Sequence, residues 1–359
     1  MARDHSQDEI IYADADKSFL VTAPPGFGKT RTMGKKMDFL IREGKIDDSK
    51  KILGLTFTNA AANEMEDSLH LSEEEYLRVE ITTFHSFCYK VLKNYGYLID
   101  IDQDFGLAGE IEQERLVNEI LTPHIPNFWE RKRVRKDFFK KRGDLDKAFF
   151  QTKTASTILE VVYEKYLKKL KYGNELDFDL LIVKTLELMK EEPKLLAYYQ
   201  NLYGYVLLDE FQDTNEIQYS LFKTLIQKED DNFIPFSCFG DDFQSIFIFR
   251  GAMAESIVRV AQEFDSIQKE LKKNYRNSCP FINAFNDLLR YKQSSSISDV
   301  EKMNCFCFLN ARDESEYIIE TIKNEEDGIS LGEICIISRA YKRLEEIKKR
   351  LEENDIPFL

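Results

Sequence analysis

The chain has 359 residues, 43% of them hydrophobic, and a formal net charge of −14. That length predicts two or three globular domains, and no apolar run is long enough to suggest a membrane span. The acidity excludes nucleic-acid binding by bulk charge, so any anionic partner must be met by local basic or aromatic surface.

Residues 19–22 read as a short buried strand. A tight Pro/Gly turn follows, and Gly28-Lys29-Thr30 opens a helix. Ala23-Pro24-Pro25-Gly26-Phe27-Gly28-Lys29-Thr30 is the phosphate-binding pattern G-x-x-x-x-G-K-[ST], with Ala23 in the first glycine place. Gly26 and Gly28 let backbone N–H groups turn inward around phosphate oxygens. The helix N-terminus adds unpaired donors and a positive dipole end. Lys29 supplies a point charge for the β- and γ-phosphates of ATP, and the Thr30 hydroxyl can ligate Mg²⁺.

Further strands are predicted at 52–57, 79–82, 205–208, 236–239, 305–309 and 334–337, with amphipathic helical stretches between most of them. This alternation predicts an α/β fold with a mainly parallel sheet. Residues 97–202 interrupt it. They are rich in Lys, Glu, Leu and Tyr, carry Pro123 and Pro126 in a break, and show no strand signal. An all-helical insertion is expected there. A polar, Ser-rich link at 293–299 precedes renewed alternation, so a second α/β lobe is expected from about 279. Two strands cannot bury both faces of a parallel sheet, and that lobe is expected to be incomplete. The expected domains are 1–96 with 203–278, then 97–202, then 279–359. Met1-Ala-Arg-Asp-His5 lacks signal-peptide character, and the six cysteines lack zinc-finger spacing. Both fit reduced thiols in a cytoplasmic protein.

Leu207-Leu208-Asp209-Glu210 is an apolar strand that ends in two carboxylates. Beside a phosphate-binding loop, Asp209 would hold Mg²⁺ and Glu210 would deprotonate the attacking water. Gly240-Asp-Asp-Phe-Gln244 ends another strand, and Gln244 is placed to sense the γ-phosphate. Tyr275 offers an aromatic face, and Arg276 a bidentate cation of the kind that acts as a finger on a transferred phosphoryl group. Aromatic residues recur near turns in three segments. They are Phe57 in Thr56-Phe-Thr58-Asn59, Phe84 and His85 in Thr83-Phe-His-Ser86, and Phe247 and Phe249 in Phe247-Ile-Phe249-Arg250. Such rings stack on unpaired bases or fill a core, and both readings stay open. The basic run Arg131-Lys-Arg-Val-Arg-Lys136 with Lys140-Lys-Arg142 either contacts phosphates or forms a solvated helix face.

Together and in order, these segments resemble the UvrD/Rep-type superfamily 1 DNA helicases across nearly the whole chain. The resemblance implies two RecA-like lobes of a P-loop NTPase, the first split by the helical insertion and the second truncated. Gln7 stands where the family reads adenine, and Arg31 follows the phosphate loop. The resemblance assigns Tyr275 to stacking on adenine and Arg276 to the γ-phosphate. It implies DNA contacts by Phe57, Thr58, Asn59, Phe84, His85, Phe247, Phe249 and Arg250. The cofactors would be ATP and Mg²⁺. The partner would be single-stranded or tailed duplex DNA, translocated 3′ to 5′, with no membrane. The chain departs from the family at Ala60, usually lysine, and at Phe247 and Phe249, usually Tyr and Trp. Motifs V and VI are absent from the sequence, so this chain alone is not expected to unwind DNA. The rival reading is an ATP-dependent DNA-binding regulatory subunit that switches a nuclease in a repair or phage-defence complex.

Overall fold

The computed structural model describes residues 4–146, 157–228, 232–241, 256–264, 266–278, 282–283, 294–297, 306–324 and 329–358. The chain folds as two compact units, residues 1–300 and 301–359.

In chain order the strands are β1 (Phe19–Thr22), β2 (Lys51–Thr56), β3 (Val79–Thr83), β4 (Gly106–Leu107), β5 (Glu175–Leu176), β6 (Tyr203–Leu208), β7 (Phe236–Gly240), β8 (Ile267–Glu270), β9 (Lys273–Ser278) and β10 (Ser294–Ile297). Six of them form one sheet in the order β3-β2-β6-β7-β1-β8. Every pairing in it is parallel. The central strands are apolar nearly throughout because both faces of the sheet are covered. Leu20, Leu53, Leu55, Val206, Leu208 and Cys238 point to one side and join the core of the helical insertion. Phe19, Val21, Ile52, Tyr205, Leu207 and Phe239 point to the other. The two-residue alternation of a strand thus sorts one apolar run into two cores.

Five predicted strands, 19–22, 52–57, 79–82, 205–208 and 236–239, form within a residue or two of their expected bounds. Three strands of the sheet and its neighbourhood, β8, β9 and β10, were not legible. Ile267-Gln-Lys-Glu270 is polar because β8 is an edge strand with one neighbour, where charged residues are tolerated. β9 pairs with β10, which lies in the stretch expected to be a Ser-rich link. Among its described residues the insertion is helical, apart from the two-residue pair β4–β5.

In residues 301–359 the expected strands are corrected. Neither 306–309 nor 334–337 is a strand, and residue 305 lies outside the described residues. Leu309 is 98% exposed and Ile337 88%. Without neighbouring strands, an apolar run has no ladder for its N–H and C=O groups and no sheet face to bury. This unit instead packs the helices Ala311–Lys323 and Tyr341–Glu353 through Ile319, Ile347 and Leu351. Among the described residues, no helix is long and apolar enough to cross a membrane.

Candidate nucleotide-binding site

The site forms where the C-terminal ends of three neighbouring strands, β6, β7 and β1, meet. This is the end of an open parallel sheet where ligands bind. After β1 the chain turns through Gly26 (φ +81°) and Gly28 (φ +76°), both left-handed. Gly28 is the N-cap of the helix Lys29–Arg42 and provides no side-chain cap, so the first N–H groups of that helix face the loop. A Cβ on Gly26 would lie 2.7 Å from Arg276 Cβ and 2.8 Å from Asn274 Nδ2. Glycine is therefore required there by conformation and by close approach.

Lys29 Nζ donates to Glu210 Oε2 at 2.7 Å, across the end of β7. Gln212 Nε2 donates to the same oxygen at 2.8 Å. Glu210 is held in the left-handed region at φ +48°, a conformation costly for a residue with a side chain and concentrated at functional sites. Asp209 is buried, and its Oδ1 accepts the Glu210 N–H at 2.9 Å. Burial, then the adjacent Glu210 carboxylate, push the Asp209 carboxyl up to about 7 against the pull of Lys29. Burial and Glu210 likewise push Asp213 up to about 6.

A second wall comes from β9. Asn274 is buried; its Nδ2 donates to the Pro25 carbonyl at 2.8 Å. Its Oδ1 accepts the N–H groups of Arg276 (2.8 Å) and Asn277 (2.7 Å). The Tyr275 N–H donates to the Gly26 carbonyl at 2.7 Å. Gln7 Nε2 donates to the Phe27 carbonyl at 3.1 Å. A Cβ on Gly28 would meet Gln7 Nε2 at 2.9 Å and Tyr275 Cδ2 at 3.8 Å, so the two adenine candidates flank the loop. The Tyr275 hydroxyl donates to Asp4 Oδ2 at 2.7 Å. Burial pushes the Asp4 carboxyl up, but hydrogen bonds from Ser6 and Tyr275 outweigh it and hold the group below its ordinary value.

Of the expected nucleotide residues, Gln7, Ala23 to Thr30 and Tyr275 converge on this loop, and Asp209 and Glu210 stand at its carboxylate side. Arg31 and Arg276 are exposed, with Arg276 Cβ beside Gly26. Gln244, Phe247, Phe249 and Arg250 lie outside the described residues. Phe57 is half-buried, and Thr58 and Asn59 are exposed; the Thr58 hydroxyl caps the helix Asn59–Asp67 by accepting the Ala61 N–H. Phe84 requires a correction. It is 2% exposed in the core with Phe87, and its ring offers no face to a base. His85 is half-buried, edge-on to Phe178 at 5.6 Å, and burial holds its imidazole below the usual value. Sequence reasoning assigned no role to Gln212, Asn274 or Asp4, whose importance lies in contacts across long stretches of chain.

The residues present fit Mg-ATP. The glycine cradle, the open helix N-terminus and Lys29 suit a polyphosphate. Thr30 and Asp209 offer the hard oxygen donors that Mg²⁺ takes. Among the described residues, no group of three or more His, Cys, Asp or Glu could hold a metal unaided. Mg²⁺ at phosphoryl-transfer sites is commonly held by one or two protein oxygens with the phosphates and water.

A parallel sheet carrying this loop, with its lysine paired to a strand-end glutamate, defines a P-loop NTPase. Within that class, the chain belongs to the UvrD/REP helicase family. The model of the UvrD/REP helicase N-terminal domain matches residues 4–265. That of the UvrD-like helicase C-terminal domain matches residues 269–359. Among curated proteins, the chain is similar to the ATP-dependent DNA helicase PcrA of Staphylococcus epidermidis, 28% identical over 379 residues, covering 99% of this chain and 50% of that protein. It is also similar to the ATP-dependent DNA helicase PcrA of Staphylococcus aureus, at 28% identity over 94% of this chain and 48% of that protein. The chain spans about half the length of these relatives.

Proposed function

We propose that the chain binds and hydrolyses Mg-ATP and couples hydrolysis to 3′-to-5′ movement on single-stranded DNA, as the ATPase part of a DNA helicase. The observation that carries this reading is the Lys29–Glu210 pair at 2.7 Å, joining the phosphate loop to the strand-end carboxylates. A polyphosphate at the loop competes with Glu210 for the Lys29 ammonium. Glu210, released from that cation, becomes the base that accepts a proton from the attacking water. Gln212 keeps the carboxylate oriented during the exchange. Asp209 and Thr30 would hold Mg²⁺, which would supply positive charge at the phosphoryl oxygens. Gln7 and Tyr275 take the adenine side, and Arg276 extends a guanidinium toward the phosphates. Phe57, Thr58, Asn59 and His85 are the DNA contacts proposed among the described residues.

Steady-state hydrolysis with and without an oligonucleotide tests the reading. Hydrolysis by the wild type should rise with single-stranded DNA. Lys29→Ala should lose nucleotide binding and turnover, while Glu210→Gln should keep Mg-ATP binding and lose turnover. An ATPase indifferent to DNA, or a Glu210→Gln protein with wild-type turnover, would overturn it.

A further inference from the structure

One face of the helix Phe128–Lys140, in the insertion, is left unused by the nucleotide chemistry. Trp129, Lys132, Arg133, Lys136 and Lys140 recur at intervals of three and four, which places them in one stripe along the helix. All five are exposed, Trp129 at 72%. The opposite side is fixed: Phe138 is fully buried, with its ring 5.6 Å from that of Tyr166. The Asn127 side chain caps the helix through the Glu130 N–H at 3.0 Å.

The other cations of the first three turns are engaged inside the fold. Arg131 Nη1 donates to the carbonyls of Ile125 and Pro126, both at 2.8 Å. Arg135 lies 3.5 Å from Glu114. Lys132, Arg133, Lys136 and Lys140, in contrast, have no hydrogen bond or ion pair among the described residues; Lys132 Nζ sits 5.8 Å from the Trp129 ring centroid. From Lys132 to Lys140 this row spans about 12 Å at a helical rise of ~1.5 Å per residue. In a chain of net charge −14, four unpaired cations on one stripe form a local surface for a polyanion.

The indole selects the kind of polyanion. A duplex keeps its bases stacked inside and shows this face only phosphates. A single strand shows phosphates and unstacked bases, and any base can stack on an exposed ring. Phe128 stands edge-on to Trp129 at 5.5 Å and braces it. We infer that this face is a second contact for single-stranded DNA, with phosphates on Lys132, Arg133, Lys136 and Lys140 and a base against Trp129. The choice of DNA rests on the translocase reading above; the single-strand geometry rests on the stripe itself.

Trp129 is the chain's one tryptophan, so its fluorescence reports this face alone. The 359-residue chain is titrated with a single-stranded oligonucleotide, following indole emission. Anisotropy of a labelled strand reports binding anywhere. Indole quenching should saturate with the anisotropy. A triple variant, Lys132→Ala with Arg133→Ala and Lys136→Ala, should lower the slope of log affinity against log salt by about 2, at ~0.7 per phosphate contact. Rising anisotropy with unchanged indole emission and an unchanged slope would overturn the inference while leaving the translocase reading standing. Equal quenching by a blunt duplex would overturn the single-strand assignment. No binding by either readout would sink both.

Discussion

Gln212 Nε2 donates to Glu210 Oε2 across 2.8 Å, and the same amide ties the end of β6 to the end of β7. The tie exists because Gln212 Oε1 accepts the Asp241 N–H at 2.9 Å. Glycine at 240 leaves room for the approach, since a Cβ there would stand 2.8 Å from the same Oε1 and push the amide aside. In the proposed mechanism Gln212 is therefore a positioning residue: it would reach the chemistry through Glu210. Gln212→Leu should lower kcat at least tenfold, with little change in nucleotide affinity. It should also cost ~1–3 kcal/mol of stability, because buried polar groups lose their partner. Single-turnover hydrolysis and paired thermal melts check this. An unchanged kcat in a folded variant would remove Gln212 from the site.

Asn274 holds β9 against the phosphate loop through its hydrogen bond to the Pro25 carbonyl, and the N–H groups of Arg276 and Asn277 fix its side chain from within β9. Asn274→Ala should weaken nucleotide binding about tenfold or more, because the loop loses its wall. Gly26→Ala should do the same by a different route. It adds ~1–2 kcal/mol of left-handed strain and drives a Cβ into Arg276 and Asn274. Equilibrium binding of a fluorescent nucleotide measures both. If Asn274→Ala binds nucleotide like the wild type, the loop stands without β9.

The sequence showed the loop, the strand-end carboxylates and five of the six strands of the main sheet because each is a local pattern: a turn, a charge after an apolar run, an apolar run between turns. The contacts that complete the site were not legible. Asn274 and Pro25 are 249 residues apart, and Gln212 and Asp241 are 29 apart, so no window of periodicity contains either pair. Phe84 misled for a related reason. A phenylalanine opening a helix after a strand looks the same whether it turns outward or, as here, into the core beside Phe87. The apolar runs at 305–309 and 334–337 had strand composition, but the neighbours that make a strand are not a property of the run.

Lys36 predicts an alkaline stability change. It lies fully buried on the helix that follows the phosphate loop, with Nζ donating to the Ala13 carbonyl at 2.5 Å and 5.6 Å from the rings of both Phe39 and Tyr205. Burial, partly offset by Asp14, pulls its ammonium down to about 8. A folded value below the unfolded one means that stability is present above the unfolded value near 10.5 and is lost as pH falls through 8. Relative to Lys36→Met, the wild type should therefore gain up to ~3 kcal/mol between pH 7 and pH 10.5, at ~1.4 kcal/mol per pH unit. Urea midpoints of both proteins across that range give the difference. A constant difference would mean that the lysine is not desolvated in the folded protein.

The last prediction concerns the insertion, whose core holds a buried ionic cluster. Arg142 donates to Asp146 Oδ1 at 2.9 Å and to Asp177 through two bonds of 2.8 and 3.2 Å. Tyr166 donates to Asp177 at 2.6 Å, and Tyr163 donates to Asp146. The guanidinium carbon also lies 5.1 Å from each tyrosine ring centroid. Asp146 Oδ2 is buried with no hydrogen-bond partner among the described residues. Burial raises the Asp146 carboxyl and pushes Asp179 up to about 6, in both cases against the pull of Arg142. Arg142→Met should cost about 3–5 kcal/mol at neutral pH, since it strands carboxylates in the interior. The sign of the pH dependence follows from the raised values. For a carboxyl whose folded value lies above the unfolded one, stability is present below the unfolded value near 3.8 and is lost as pH rises through about 6. Without Arg142 those carboxyls climb further, so the penalty should be largest above pH 6 and shrink toward pH 5, where Asp179 folds protonated. Urea midpoints at pH 5 and pH 8 decide it. A penalty that is equal at both would show that the arginine contributes through packing against Tyr163 and Tyr166 and that its charge is immaterial.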